Sequence, residues 1–254
     1  MKSRKLLLWL FVTMAALPCL AQTLPPDQGA DRNVSWSTLV PNLASDEKAI
    51  WLSPLKLKQR KYWLPTAVVL GVTAGLIALD PVEGHYFRNS SSYSGFNRVF
   101  SGNATALGML IAPVSLYAIG LVGKDSKMKT TALLAGEAAV DSEILATVMK
   151  DADHRLRPIA VPARGNYSDT WFEDSTGPLM GHGSFPSGHS IAAFSIATVI
   201  ARRYRNHRWV PFVAYGGATL VGFSRLTLSA HFASDVFVGG VLGYSISRFA
   251  VLHE

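Results

Sequence analysis

Cysteine is almost missing. The chain carries one, Cys19, inside the opening stretch MKSRKLLLWLFVTMAALPCLAQ. There Lys2, Arg4 and Lys5 precede an apolar run with a small-residue exit at Ala21, the layout of a secretory signal peptide over 1–21; an uncleaved anchor begins the same way. Residues 22–254 hold no thiol, which excludes disulfides, cysteine-bound metal and cysteine nucleophiles from that part. Charge is scarce too. Asp, Glu, Lys and Arg make up 16% of the residues, against about 25% in an ordinary soluble domain. The net charge of +7 falls to +4 once the three basic residues of 1–21 are set aside. No basic stripe interleaved with aromatics is present, so nucleic acid is not an expected partner. Internal repeats and low-complexity tracts are also missing, which excludes solenoid arrays.

Apolar residues are what the chain has in quantity, at 49%. Residues 22–63 form a polar N-terminal arm. It ends in DEKAIWLSPLKLKQRKYW (46–63), where Trp51 and Trp63 mix with Lys56, Lys58, Arg60 and Lys61. That mixture suits a membrane interface or an amphipathic surface helix. Apolar runs follow at 64–79, 104–123, 130–149, 190–201, 209–223 and 234–251. They predict an all-α fold, a six-helix bundle embedded in a membrane, with its site at helix ends. Gly239 and Gly243, four apart, predict close packing of the last helix. In a six-span layout the basic loops 56–61, 124–129 and 202–208 share one side, which places loop 151–188 outside. A cleaved signal peptide inverts that count, and several runs are shorter than the roughly 20 residues of a span.

Three clusters flank the helix ends: KDADHRLRP, with Lys150, Arg157 and Pro158; Pro186-Ser187-Gly188-His189; and SRLTLSAHFASD, with Ser224, Arg225, His231 and Asp235. His231 and Asp235 share a face if helical. A carboxylate there can accept one imidazole proton and leave the other nitrogen nucleophilic. The six-residue gap from Arg225 to His231 predicts a helix break at 226–229, with Ser229 as N-cap and His231 in the next first turn. Ser187 is the expected N-cap of helix 190–201. Gly188 lets backbone approach an anion there, and His189 can protonate a departing oxygen. Lys150, Arg157 and Arg225 can neutralise the oxygens of a phosphoryl group. Taken singly, each cluster also reads as a capped helix, a surface His–Asp pair or solvated basic residues. Their conjunction points to one tetrahedral anion with a nucleophile and an acid.

These motifs, spacing included, resemble those of the type 2 phosphatidic acid phosphatase and vanadium haloperoxidase superfamily. The resemblance covers 150–235 directly and, with the flanking apolar runs, a domain over 64–251. It implies that His231 attacks phosphorus to form a phosphohistidine and that Asp235 orients it. His189 would protonate the leaving group and then activate water. Lys150, Arg157, Ser187, Gly188 and Arg225 would hold the phosphoryl oxygens, with no metal and no cofactor. The implied substrate is a lipid phosphate monoester or an isoprenyl diphosphate, cleaved at the membrane of a bacterial-type envelope with the site facing the periplasm or exterior. A soluble periplasmic acid phosphatase of broad specificity, a vanadate-dependent haloperoxidase and a non-catalytic lipid-phosphate binder share the same motifs. Lower on the scale of expectation, His154 and His182 line the cleft or stay solvated. Trp171, Phe172, Glu173 and Asp174 form a lip or an ordinary loop. Glu137 and Asp141 are buried polar partners.

Overall fold

The computed structural model describes residue 32 and residues 34–173 and 181–254. The signal-peptide expectation for 1–21, Cys19 and the Asp174 part of the lip lie outside the described residues. Among the described residues every regular element is helical. Helix α1 is Leu39–Leu52, followed by 3-10 turns Ser53–Lys58 and Arg60–Tyr62. Then come α2 Trp63–Arg88, the short α3 Ser94–Val99, and α4 Gly102–Val122. The remainder is α5 Ser126–Asp153, α6 Gly188–Arg203, α7 Trp209–Thr227, α8 Ala233–Ser245 and a closing π-helical segment, Ile246–Val251.

The all-α expectation holds, and each of the six apolar runs falls in a helix, the last continuing through the π-helical segment. The count of six is too low among the described residues, because α1 and α3 add to it. Helix α1 comes from the arm, whose polar face finds partners only in three dimensions. Arg32 donates to Asp46 Oδ2 at 2.7 Å, and Asn42 Nδ2 to Glu137 Oε1 on α5 at 3.0 Å. Glu137 and Asp141 are buried as expected, but neither oxygen of Asp141 finds a hydrogen-bond partner.

Helix α6 is the hub, packed by α5, α7 and α8 and buried along nearly its whole length. Small residues make this possible. A Cβ at Gly239 of α8 would stand 2.8 Å from Ser187 O and 2.9 Å from Ser190 Cβ. A Cβ at Gly243 would collide with Ile191 O. The α6 and α8 backbones therefore touch, and the two helix starts are held side by side. Helices α2 and α4 behave otherwise. Both are long and apolar enough to cross a membrane, yet only 6% and 11% of their most apolar windows are buried. A core helix of a soluble protein would be covered. These two present Leu64, Val68, Leu70, Leu107, Leu110 and Val114 outward.

Candidate active site

The three sequence clusters occupy the C-terminal end of α5, the start of α6 and the junction of α7 with α8. Each is set by a local terminus. Ser187 caps α6 as expected, its Oγ accepting from Ser190 N at 3.4 Å, and His189 follows in the first turn. At the end of α7 the expectation needs correction. Ser229 is not an N-cap; its φ of 51° makes it the left-handed residue that ends α7. Ser229 N bonds to Leu226 O at 2.8 Å and Ala230 N to Arg225 O at 2.9 Å, the paired bonds of a Schellman motif. The chain folds back at once, so His231 N also reaches Arg225 O at 3.3 Å. His231 therefore precedes α8 and does not sit in its first turn. The N-cap is Phe232, whose backbone N–H donates to Asp235 Oδ2 at 2.8 Å.

That geometry changes how His231 is held. A continuous helix would have placed Asp235 one turn along the same face. Instead His231 Nδ1 lies 2.7 Å from the Ser184 carbonyl and 3.7 Å from Asp235 Oδ2. A carbonyl only accepts, so Nδ1 carries the proton and Nε2 the lone pair. Burial holds the ring at a pKa of about 4 against the raising pull of Asp235, so it is neutral near pH 7. Asp235 is fully buried, which alone would protonate it. Arg155, His231 and the Ser184 hydroxyl outweigh burial and hold it below the usual carboxylate range.

His189 Nε2 lies 3.2 Å from Gly102 O at the start of α4. Burial, then Arg225, depresses its pKa to about 4. Arg225 is 2% exposed and donates to Phe100 O at 3.1 Å, Thr105 Oγ1 at 3.0 Å and Ser224 Oγ at 2.7 Å. Burial and then the charge of Arg157 lower Arg225 to about 10. Lys150 is lowered by burial and then by Arg157. Its Nζ lies 3.3 Å from where a Cβ on Gly188 would stand, and both Glu143 carboxylate oxygens lie 3.7 Å from that point. Arg157 Nε donates to His182 O at 3.1 Å. These mutual effects show that the structure gathers Lys150, Arg157, Arg225, His189 and His231 into one electrostatic neighbourhood. Cations that depress one another are poised for an anion.

Several partners escape a reading by spacing. Ser184 supplies the carbonyl on His231 and a hydroxyl 2.5 Å from Asp235 Oδ2. Arg155 is buried against Asp80 of α2 and Asp235 of α8. Losing one partner of such a buried pair costs about 3–5 kcal/mol. Asp80 Oδ1 also accepts from Ser234 N at 3.2 Å, and Glu83 Oε2 from Ala233 N at 3.4 Å, so two acids of α2 meet the positive start of α8. Trp171 stacks on Arg155, whereas Phe172 is exposed. His182 contributes its carbonyl to Arg157, and His154 is the left-handed C-cap of α5.

Residues 129–253 match a family model described as the PAP2 superfamily. A lipid A 1-phosphatase of Rhizobium etli is 36% identical over 110 residues, 41% of this chain and 42% of that protein. One from Porphyromonas gingivalis is 39% identical over 66 residues, 26% of this chain and 15% of the relative. The chain thus spans less than half the length of these curated relatives. A crystal structure of a transmembrane PAP2 type phosphatidylglycerolphosphate phosphatase from Bacillus subtilis superposes with a TM-score of 0.41 at 19% identity, over 84% of this chain and 92% of that one.

Proposed function

Through residues 129–253 the chain belongs to the PAP2 superfamily, and from that premise we propose that it is a metal-independent lipid phosphatase working through a phosphohistidine. The observation that carries this reading is His231. It is buried and neutral, its Nδ1 proton is committed to Ser184 O at 2.7 Å, which leaves the lone pair on Nε2, and the charges of Arg157 and Lys150 act on the ring. Nε2 attacks phosphorus and the bond to the leaving oxygen breaks. His189 supplies the proton that oxygen needs. Its Nε2 proton is engaged by Gly102 O, so the transferred proton leaves from Nδ1. Water then attacks phosphorus, gives its proton to the same Nδ1, and the P–N bond returns its electrons to His231. Lys150, Arg157 and Arg225 hold the phosphoryl oxygens throughout, beside the backbone at Ser187 and Gly188. Asp235 faces the positive charge that the phosphorylated ring gains.

The substrate reading is a phosphate monoester on a lipid. The relatives' names put lipid A 1-phosphate first among those to test, with phosphatidate, phosphatidylglycerol phosphate and an isoprenyl diphosphate beside it. Helices α2 and α4 sit in the bilayer, where their exposed apolar faces are covered and a lipid tail can remain. Trp51 and Trp63 then mark the interface, and the site faces the periplasm or exterior. The test is phosphate release by purified protein in detergent with EDTA present. His231→Ala should abolish release; wild-type turnover by that variant rejects the assignment.

A further inference from the structure

Arg155 lies between Lys150 and Arg157 and is 1% exposed. Its Nη2 donates to Asp80 Oδ2 at 2.7 Å and its Nη1 to Asp235 Oδ1 at 2.5 Å. Nη1 also reaches Ser234 Oγ at 2.8 Å, and Nε reaches Thr170 Oγ1 at 3.3 Å. The rings of Trp171 and Phe232 lie 4.3 and 4.2 Å from the guanidinium carbon. A planar cation is thus used edge-on for carboxylates and face-on for rings, a combination lysine lacks. The other oxygen of Asp235 is taken by Ser184 Oγ and Phe232 N.

The geometry points to Arg155 as a positioning residue for the hydrolysis proposed above: it keeps Asp235 an oriented anion beside His231 and ties that pair to α2. The inference rests on the phosphatase reading. A buried carboxylate without a cation takes up a proton. Three acids lie within electrostatic reach of Asp235, so its charge stands among like charges: Asp80 and Glu83 on α2, and Asp153 at the end of α5. Against them stand Lys150 at the end of α5, His231 across the turn, and Arg155. Among the described residues only Arg155 joins Asp235 in an ion pair with Lys or Arg. A protonated Asp235 could no longer balance the phosphorylated His231 ring. Removing Arg155 therefore leaves substrate binding intact and weakens the chemical step, more so as pH falls.

The experiment compares wild type, Arg155→Lys, Arg155→Met and His231→Ala, each as full chain in detergent, on one lipid phosphate. Thermal unfolding is followed at every pH. Expected is a kcat lower by about 100-fold in Arg155→Met and about 10-fold in Arg155→Lys, with KM within about two-fold of wild type. The acid limb of kcat should move at least about one pH unit upward in Arg155→Met and less in Arg155→Lys. Should Arg155→Met fail to fold, Arg155→Lys carries the test through its kcat and KM. An inactive His231→Ala beside Arg155 variants with wild-type kcat and an unmoved acid limb overturns the role of Arg155 alone. So does a loss that merely follows the folded fraction at every pH. An inactive wild type, or an active His231→Ala, overturns the phosphatase reading and this inference together.

Discussion

His231 and His189 start from the same protonation state but have opposite tasks in the proposed mechanism. Both are neutral near pH 7, with pKa values of about 4 that burial sets first. Neutrality suits His231, which must offer a lone pair. His189 must deliver a proton, so its charged form has to be favoured once a phosphate dianion arrives beside it and Arg225 is neutralised. His189→Ala should therefore depend on the leaving group. Turnover of a lipid phosphate should fall about 10²–10⁴-fold, the usual worth of a positioned acid. With a nitrophenyl ester, whose oxygen departs without a proton, the first step should fall far less. Rapid-mixing kinetics on both esters checks this, and equal losses would remove His189 from the acid role. At this scale the eight candidate residues could be picked out together because their spacing is local to each motif. Arg155 was not, since one more Arg in KDADHRLRP carries no mark. Its acceptor Asp80 lies 75 residues upstream, and Asp80 in turn binds Ser234 154 residues away. The Ser184 carbonyl on His231 is a backbone atom that no side-chain pattern announces.

Elements bring those residues within reach. The Schellman turn after α7 matters most, because the left-handed Ser229 sends the chain back over Arg225 and sets His231 beside it. A break between Arg225 and His231 was readable from their six-residue gap, but α7 runs on to Thr227 and the non-helical stretch is 228–232, not 226–229. The kind of break was not readable, because a serine before a helix looks like an N-cap until its φ is known. The next constraint is the contact between the starts of α6 and α8. Gly239→Ala would push a Cβ to 2.8 Å from Ser187 O, separating the Pro186–His189 turn from Asp235. The expected result is a loss of about 1–3 kcal/mol in stability together with lower kcat. Gly217→Ala on α7 is the contrast. Nothing lies within 4 Å of its Cβ position, and a helical glycine gains about 0.5–1 kcal/mol on becoming alanine. Thermal unfolding of both variants in detergent separates the two cases, and equal stability changes would deny that α6 and α8 are in backbone contact. Helix α1 was hidden for another reason. Its stretch reads as polar arm, and only the pairing of Asp46 with Arg32 and of Asn42 with Glu137 shows what its polar face serves.

Across the whole molecule, distant segments gather one chemistry. Lys150 ends α5, His189 starts α6, Arg225 ends α7 and His231 precedes α8, so four termini meet on one side of the bundle around the buried α6. The exposed α2 and α4 lie outside this unit, yet α2 reaches the site through Asp80 and Glu83, and α4 through Gly102 and Thr105. The helices with exposed apolar faces thus also buttress the residues proposed to act on phosphate. Apolar runs announced these helices. Their low burial, which sets α2 and α4 apart from the core helices, is a property of packing and needed the structure. In the proposed reaction Nε2 of His231 takes the phosphoryl group. This step is tested by quenching the enzyme at alkaline pH during turnover of a lipid phosphate labelled in its phosphoryl group and mapping the label by mass spectrometry. The expected result is an acid-labile phosphate on the peptide carrying His231, absent in His231→Ala. Turnover with no trapped label under single-turnover conditions, or label on another residue, would contradict it.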